Sequence, residues 1–405
     1  MSSQAMRMAP ISAAQPSAPA ASADTSERVY TARLHTSLEA VKPLWLEWQA
    51  NGICTAHQHY AWAEGIATRL MPKSAELLVV EVSDAATGEP KMLVPLMRRR
   101  AYRHYVVEWL SCGVCDYSAP LLADASPWTR QGAEAAWAAV CSVLPPVDRI
   151  HIAGIPQQVF GVANPLALLS ATRDSIQVTS GLVLHGDPEG LIKRICRPSF
   201  AKDFRKHCRR FEQLGGLSLV EADTPALTEE LFGTLLELRL KRFRELARFD
   251  LLTRQSAVDF YLNAALQGLS DGSVRLFGLR VGQAWLASML VLARKGTLHG
   301  ILLAIDKDAV ANVSPGLTTI GKLMMWGRER GFDYFDLSVG GQGYKEHIGA
   351  ANSVLSEICE PMTLRGWGAN AAILYRSRAE RYVRLRPRLL KAVQSVARGL
   401  RRLKD

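Results

Sequence analysis

The residues with the clearest chemical potential lie at the predicted start of a helix, in the run Asn312-Val-Ser-Pro-Gly-Leu-Thr-Thr-Ile320. Ser314 is a natural N-cap, Pro315 suits the first helical position, and Gly316 lets a ligand approach the backbone. A helix N-terminus presents unpaired N–H groups and a partial positive charge, and both favour a bound phosphate. An ordinary helix start is the alternative to a diphosphate-binding turn. The residues that would form this turn are Ser314, Pro315, Gly316, Leu317 and Thr318.

Reactive side chains also surround the next predicted strand, within Gly331-Phe-Asp-Tyr-Phe-Asp-Leu-Ser338. A glycine-rich loop then leads to Tyr344 and Lys345 at the start of a short helix. Tyr344 can protonate a leaving group, because a phenol with a pKa of about 10 is a workable acid. Lys345 can hold an anion, or assist deprotonation when it is desolvated. Asp336 can act as a base or orient a partner, and the alternative is a carboxylate bonded to a backbone amide.

Three further patterns could indicate catalysis or metal binding. His299 precedes the predicted phosphate-binding helix and is a candidate base, because an unperturbed imidazole titrates at about pH 6.5. A core histidine bonded to the backbone is the alternative. Cys112-Gly-Val-Cys115 has the spacing of a redox or zinc site, but no second pair accompanies it, so we predict no metal. His57-Gln-His59 would place two imidazoles on one strand face, and two histidines alone make no site.

The second half of the chain predicts a regular order of elements that positions these residues. A basic helix at 200–214 ends at Gly215-Gly216, which is a helix stop. A strand, two helices, a three-strand meander, a helix, a strand, a short helix and a last strand follow. They are predicted at 217–220, 227–247, 256–269, 274–279, 285–292, 298–305, 315–330, 334–337, just after Gly343, and at 354–359.

The first half predicts the same order of elements between residues 29 and 184, without clear residue identity to the second half. Two such halves describe a mixed α/β (α+β) fold made of two tandem domains. We predict a disordered Ala/Ser/Pro-rich tail at 1–27, a first domain at 28–185, a second domain at 186–366, and a basic helical tail at 367–405.

Composition limits the class of protein. The chain has 405 residues, of which 48% are hydrophobic and 21% charged, with a formal charge of +11. We see no apolar run long enough to span a membrane and no apolar secretory region in the first residues. Seven cysteines in so long a chain do not form a disulfide pattern, so a reducing compartment and a cytoplasmic location are expected.

The positive charge is concentrated at the C-terminus. Residues 376–405 contain eleven basic and two acidic side chains, whereas the first 375 residues contain 38 and 36. This distribution disfavours a body that binds nucleic acid. Apolar residues recur at helical spacing within 388–404, so this segment can lie on an anionic membrane surface or pack on the body. We therefore raise a peripheral position at the inner face of the membrane as a hypothesis. Arg98-Arg-Arg100 and Arg103 predict a solvated strand end, with contact to an anionic substrate as the alternative.

The runs Ser314-Pro-Gly316, Gly331-Phe-Asp-Tyr-Phe-Asp336 and Gly343-Tyr-Lys345 together resemble the CelD-like acyltransferases of the GNAT superfamily. The resemblance spans roughly residues 30–360 and includes the basic helix Arg205-Lys-His-Cys-Arg-Arg210. In the first half it rests on these runs: Thr55-Ala-His-Gln58, Asp116-Tyr-Ser-Ala-Pro120 and Asn164-Pro-Leu166.

This resemblance implies two GNAT-like folds in tandem, as in the related FemABX aminoacyl transferases, and acetyl-CoA or another acyl-CoA as the donor. It implies N- or O-acyl transfer to a sugar, a polysaccharide precursor or an amine during exopolysaccharide or cell-envelope synthesis. In such a reaction Tyr344 would protonate the departing CoA. A FemABX-like aminoacyl transferase, which could contact RNA, and a catalytically silent scaffold of a polysaccharide machine are the alternatives.

Overall fold

The computed structural model describes residues 29–340 and 343–371, together with Tyr375 and Arg386. The predicted tail at 1–27, the loop residues Gly341 and Gln342, and the predicted amphipathic segment 388–404 lie outside the described residues. Within the described part, no helix is both long enough and apolar enough to cross a bilayer.

The strands and helices follow the predicted order, with boundaries that differ by a few residues. The strands are β1 (Tyr30–His35), β2 (Glu76–Asp84), β3 (Pro90–Ala101), β4 (His104–Trp109), β5 (Leu121–Leu122), β6 (Arg149–Ile155), β7 (Gln158–Val159), β8 (Val162–Ala163), β9 (Thr172–Val183), β10 (Leu217–Glu221), β11 (Val274–Val281), β12 (Ala284–Arg294), β13 (Thr297–Ile305), β14 (Tyr334–Val339) and β15 (Ala351–Pro361). The α-helices are α1 (Lys42–Asn51), α2 (Tyr60–Gly65), α3 (Arg130–Val143), α4 (Leu191–Ile195), α5 (Pro198–Gln213), α6 (Pro225–Glu245), α7 (Gln255–Asp271), α8 (Pro315–Glu329) and α9 (Gly343–Ile348). Residues 364–371 are also helical.

Local sequence explains where the longer helices begin and end. The Thr224 side chain accepts a hydrogen bond from the Leu227 N–H, and a proline then occupies the first turn of α6. The basic helix α5 also has a proline in its first turn, Pro198, and starts two residues before the predicted position. Helix α7 ends at Gly272, whose φ of 69° is a left-handed conformation that favours glycine.

Thirteen of the strands in the described part form one mixed sheet, in the order β1-β2-β3-β4-β6-β15-β9-β14-β13-β12-β11-β10, with β5 paired to β3. The last strand of each predicted half crosses into the other half, because β9 pairs with β14 and β15 pairs with β6. β9 and β15 also pair with each other, so backbone hydrogen bonds join the halves. This junction needs Gly181, where a Cβ atom would lie 2.2 Å from the Tyr334 hydroxyl. The domain boundary at 185 and 186 stays a prediction.

Two large apolar clusters cover opposite faces of the second half of this sheet. One cluster contains Trp45 and Trp62 of the first half together with Phe260 and Leu290 of the second. The other packs α5 and α8 against residues such as Phe335 on β14. Because side chains alternate along a strand, Asp336 points to the face that both halves cover. A polar residue at this position therefore lies between the halves.

A hairpin of the second half also holds the end of a helix of the first half. Arg294 donates from Nε to the Cys54 carbonyl at 2.8 Å and from Nη2 to the Gln49 carbonyl at 2.5 Å. Lys295 donates from Nζ to the Gly52 carbonyl at 2.5 Å. These carbonyls lie at and just beyond the C-terminal end of α1, where a cation also interacts favourably with the helix dipole.

We predict that Arg294→Ala destabilises the whole chain. The substitution removes two charge-assisted hydrogen bonds between the halves, so the free energy of unfolding should fall by about 2 kcal/mol. Urea denaturation followed by circular dichroism measures the change. Arg33→Ala, at an exposed arginine on β1, is the matched control and should leave stability within about 0.5 kcal/mol. Equal stability of the two variants would show that the hairpin does not hold the halves together.

Candidate active site

The candidate active site centres on Asp336 and His299, which face each other across β14 and β13. The two strands run parallel and pair at Thr297–Tyr334, Leu298–Phe335 and His299–Asp336. β13 continues to Ile305 and β14 to Val339, but the pairing stops at His299 and Asp336. The strands therefore separate beyond this pair, and backbone groups there become available for a ligand that enters between them.

The Asp336 carboxylate is buried and accepts hydrogen bonds from four groups. Tyr117 donates from Oη to Oδ2 at 2.5 Å, and Thr179 donates from Oγ1 to Oδ1 at 3.2 Å. The Ser338 amide donates to Oδ1 at 2.6 Å, and His299 Nδ1 lies 3.2 Å from Oδ2. Burial alone would raise the pKa of this carboxyl, but the hydrogen bonds from His299, Tyr117 and the Ser338 amide hold it below its ordinary value. Asp336 is therefore ionised at neutral pH.

The contact with Asp336 sets the tautomer of His299. Because an ionised carboxylate only accepts hydrogen bonds, Nδ1 must carry the proton that it donates, and the lone pair of the neutral ring lies on Nε2. Within the described part of the chain, the buried Nε2 has no hydrogen-bond partner. The recorded side-chain contact of His299 is thus with the Asp336 carboxylate and not with the backbone, and its role as a general base stays a prediction.

The first half contributes residues to this site that sequence analysis did not select. His57 is fully buried, and its ring centroid lies 5.8 Å from that of His299 and 5.4 Å from that of Tyr117. Burial and the nearby His299 lower the pKa of His57 to about 3, so its ring is neutral. Neither ring nitrogen has a partner among the described residues. The expectation that His57 and His59 share a strand face is wrong, because they lie in and beside a single 3-10 turn.

A capping box holds that turn in place. Thr55 accepts a hydrogen bond from the His57 N–H, and the Gln58 side chain accepts one from the Thr55 N–H at 3.0 Å. Gln58 also donates from Nε2 to the Tyr117 carbonyl at 3.1 Å, and its own carbonyl accepts from Trp45 Nε1 at 2.8 Å. The turn that carries His57 is thus tied to the segment that carries Tyr117. The runs Thr55–Gln58 and Asp116–Pro120 were the available signal for both residues.

Lys345 lies in the same buried polar region. It is 2% exposed, and its Nζ donates to the Ser338 carbonyl at 2.6 Å. Burial lowers the pKa of Lys345 to about 8, although Asp336 and Asp116 act in the opposite direction. Ser338 has a φ of 62°, which is unusual for a residue with a side chain. Burial also raises the pKa of Asp116, another residue of this region that sequence analysis did not select.

Tyr344 and the start of α8 lie on the side of the sheet covered by α5 and α8. Tyr344 packs against the cluster formed there, and burial raises the pKa of its phenol to about 12, so the hydroxyl stays protonated. Asp336, His299 and Lys345 therefore lie together in the buried polar region. Tyr344 precedes Lys345 in sequence, but it packs against the apolar cluster on the α5 and α8 side of the sheet. Asp336 and Lys345 interact electrostatically, whereas no hydrogen bond from Tyr344 to this group is recorded in the described residues.

The start of α8 has the predicted cap and packs on the end of β13. Ser314 Oγ accepts from the Leu317 N–H at 3.3 Å, and the Ser314 carbonyl accepts from the Thr318 N–H at 3.1 Å. A Cβ atom on Gly316 would lie 3.2 Å from Ile305 at the end of β13. Pro315 has no N–H, so Gly316 supplies the first-turn amide that these internal bonds leave for a ligand. A diphosphate on this turn stays a prediction.

The cysteine pair of the first half shows no sign of redox activation. All seven cysteines are free thiols. Burial raises the pKa of Cys112 to about 11 and that of Cys115 well above its ordinary value, which disfavours the reactive thiolate. Among the described residues, no group of three or more His, Cys, Asp or Glu side chains is placed to hold a metal ion.

We predict that Lys345 gives the stability of the chain a specific pH dependence. The folded-state pKa of about 8 lies below the ordinary 10.5. Below pH 8 the side chain is charged in both states, and its full burial cost is present. Between these values the folded state has lost a proton that the unfolded state still holds, so the free energy of unfolding rises with pH.

Urea denaturation of the wild type and Lys345→Met at pH 7 and at about pH 9.5 measures this contribution. The wild type should gain stability relative to Lys345→Met as the pH rises, whereas Lys202→Met, at an exposed lysine of α5, should show no such difference. The same difference at both pH values would mean that Lys345 is not buried as a perturbed amine.

Residues 198–346 match the family described as an acetyltransferase (GNAT) domain. A comparison with curated protein sequences finds no significant match. The crystal structure of FemX aligns with a TM-score of 0.56 and 11% identity, covering 80% of this chain and 97% of FemX. A conserved protein of unknown function from Bacteroides thetaiotaomicron aligns with a TM-score of 0.51 and 9% identity, covering 81% and 99% of the two chains.

At such identities the structural similarity shows the fold alone. The match to the sequence family covers the segment that contains His299, Asp336 and Lys345. The chain therefore has a fold similar to that of FemX, and its residues 198–346 are similar to the GNAT acetyltransferase domain family.

Proposed function

We propose that this protein transfers an acyl group, in the first instance acetyl, from acyl-CoA to a hydroxyl or amine of a polysaccharide or polysaccharide precursor. The observation that supports this proposal most is the pair His299 and Asp336 at the point where β13 and β14 separate. A base at the mouth of an opened parallel pair can meet an extended donor that lies between the strands. The match of this segment to an acetyltransferase domain makes a thioester the natural donor.

The donor would be bound mainly by backbone groups. Its diphosphate would rest on the turn Ser314–Thr318, where the Gly316 amide and the helix dipole favour negative charge. The amide groups of the pantetheine arm would hydrogen-bond to the unpaired edges of β13 and β14. Backbone N–H groups at the separated strands would stabilise the oxyanion that forms on the thioester carbonyl.

His299 and Asp336 would then activate the acceptor. Nε2 of His299 removes the proton from the acceptor O–H or N–H as that atom attacks the thioester carbonyl. Asp336 stabilises the imidazolium that results, without taking the proton itself. The tetrahedral intermediate collapses with cleavage of the C–S bond, and the thiolate of CoA takes a proton from Tyr344. Return of the proton from His299 to Tyr344 through solvent restores both groups.

The polysaccharide acceptor and the place in envelope synthesis rest on the resemblance to CelD-like enzymes alone. The experiment that addresses them is mass spectrometry of exopolysaccharide from a strain that lacks the gene. Loss of acyl groups from the polysaccharide supports the acceptor assignment, whereas an unchanged acylation pattern contradicts it. The chemistry of His299 and Asp336 does not depend on this outcome.

A FemABX-like aminoacyl transfer is the second candidate. The observation that favours it is the alignment with FemX over 97% of that chain, which includes both halves. The same base would serve that reaction, because an acceptor amine also attacks an activated carbonyl. A catalytically silent scaffold would need neither an ionised Asp336 nor a histidine with a free nitrogen.

We predict that His299→Gln and Tyr344→Phe lower the release of CoA from acetyl-CoA by about a hundredfold or more. General acid–base groups typically contribute this much to the rate, and the substitutions conserve side-chain size. The assay follows free thiol in the presence of an amino sugar such as glucosamine and of purified polysaccharide. Tyr30→Phe, at a tyrosine of β1 stacked on Trp128, is the matched control. Turnover equal to the wild type in Tyr344→Phe would remove this residue from the mechanism.

We also predict that CoA raises the melting temperature of the wild type, whereas aminoacyl-tRNA does not. Ligands that bind the native state stabilise it in proportion to their occupancy. Tyr344→Phe should retain the shift with CoA, because Tyr344 acts on the leaving thiolate and not on the diphosphate. A shift with aminoacyl-tRNA alone would favour the second candidate, and the absence of both shifts together with no turnover would favour the scaffold.

A further inference from the structure

One end of the first half of the sheet exposes aromatic side chains from two separate elements. The turn between β3 and β4 presents Tyr102, which is 97% exposed and has a φ of 55°. Beyond β15, the helical segment 364–371 presents Leu364 and Trp367, which are 90% and 65% exposed. Tyr375 is 78% exposed. Exposed apolar side chains that gather in one patch with a polar rim mark interaction sites, whereas single ones do not.

Asp148 fixes these two elements to one another. Its Oδ2 accepts from the Tyr105 N–H at 2.7 Å, at the base of the β3–β4 turn. Its Oδ1 accepts from Thr363 Oγ1 at 2.7 Å, and its carbonyl accepts from the Met362 N–H at 2.8 Å. The hydrogen bonds from Thr363 Oγ1 and from the Tyr105 N–H lower the pKa of Asp148. The turn and the helical segment are therefore held at the same end of adjacent strands.

The helical segment packs on the sheet with its small and polar face. A Cβ atom on Gly366 would lie only 1.8 Å from the Asp148 carbonyl oxygen, so the helix backbone touches the sheet there. Asn370 donates from Nδ2 to the Cys359 carbonyl at 3.2 Å. Leu364 and Trp367 consequently point away from the body. This orientation is the reverse of that of an ordinary surface helix, whose apolar face is buried.

Exposed arginines lie on the same two elements as the exposed aromatic residues. Arg98 is paired with Glu76, and Arg99 with Glu108. Arg100, Arg103 and Arg365 are exposed, and Arg365 interacts electrostatically with Asp148. The expectation of a simple solvated strand end therefore holds for only part of the run Arg98–Arg103. Arg100, Arg103 and Arg365 therefore add exposed positive charge to the two elements that present Tyr102 and Trp367.

We propose that this surface, formed by Arg100, Tyr102, Arg103, Leu364, Arg365 and Trp367, binds the surface of an anionic lipid bilayer. Tryptophan and tyrosine favour the boundary between acyl chains and headgroups, and arginines beside them attract anionic headgroups. A protein partner would be expected to offer acidic side chains in a fitted groove, whereas separate exposed tips suit a fluid surface. The net positive charge of residues 376–405, which follow this helix, has the same sign. The surface is distinct from the acyl-transfer site and does not depend on it.

The test is co-sedimentation of the full chain with vesicles. Vesicles of phosphatidylcholine and vesicles in which about one third of the lipid is phosphatidylglycerol are compared. The wild type should bind the anionic vesicles, and this binding should weaken as salt is added. Arg100→Gln/Arg103→Gln should lower the partition coefficient by roughly thirtyfold, at about fivefold per arginine. Leu364→Ser/Trp367→Ser should lower the partition coefficient on both kinds of vesicle, and by more than the arginine variant does.

Two control variants keep the result interpretable. Phe249 is 60% exposed, and Arg254 lies 5.3 Å from its ring centroid, so Phe249→Ser/Arg254→Gln removes a similar pair elsewhere. This variant should bind vesicles as the wild type does. Tyr102→Ser changes a side chain that is 97% exposed and therefore cannot unfold the chain. It should also weaken binding to anionic vesicles.

Several outcomes would overturn the proposal. One is a wild type that fails to bind anionic vesicles, and another is full binding by all the surface variants, which would assign it to the basic tail alone. Light scattering that shows a dimer lost in Leu364→Ser/Trp367→Ser would mean that a second copy of the chain covers this surface. Acyl transfer by these variants should remain unchanged in solution, so failure of the membrane proposal can be separated from failure of the proposed activity.

Discussion

The buried carboxylate of Asp336 is the constraint on which the arrangement of both halves depends. An ionised group away from water is costly unless hydrogen bonds replace its solvation. Here the donors come from Tyr117 before the strand exchange, Thr179 on the exchanged strand β9, and His299 on β13. Neither half alone supplies the full set. Because the set of donors is complete only when β9 lies against β14, the buried carboxylate stabilises that packing.

The strand exchange and the polar cluster around Asp336 consequently depend on each other. β9 brings Thr179 to Asp336 while its backbone completes the sheet beside β14 and β15. The hydrogen bonds from Arg294 to carbonyls at and beyond the end of α1 also hold the first half to the second. A rigid, dry environment of this kind is what a general base needs, because fixed dipoles there require no reorganisation during the reaction. In the proposed reaction, the separation of β13 and β14 beyond His299 would supply the route by which a donor reaches it.

Sequence patterns were sufficient for the order of elements, and they selected Asp336, His299 and Lys345, which the structure brings together. The helix start at Ser314 and the polar end of the strand at Asp336 are local signals that the structure also shows. The strand exchange and the position of His57 depend on contacts between residues far apart in the chain, and sequence periodicity does not reveal such contacts. His57 in particular looks like any buried histidine until Tyr117 and His299 are placed beside it. The exposed Trp367 was likewise indistinguishable from a core tryptophan by sequence alone.

The central claim, that Asp336 sets His299 as a base with a free Nε2, is tested most directly by the tautomer of this ring. Nitrogen NMR of protein labelled in histidine, with His299 assigned through His299→Gln, distinguishes the two neutral forms. We expect a proton on Nδ1 and a lone pair on Nε2 in the wild type, and loss of this preference in Asp336→Asn. A proton on Nε2 in the wild type would contradict the account, because His299 could then not accept a proton from an acceptor group.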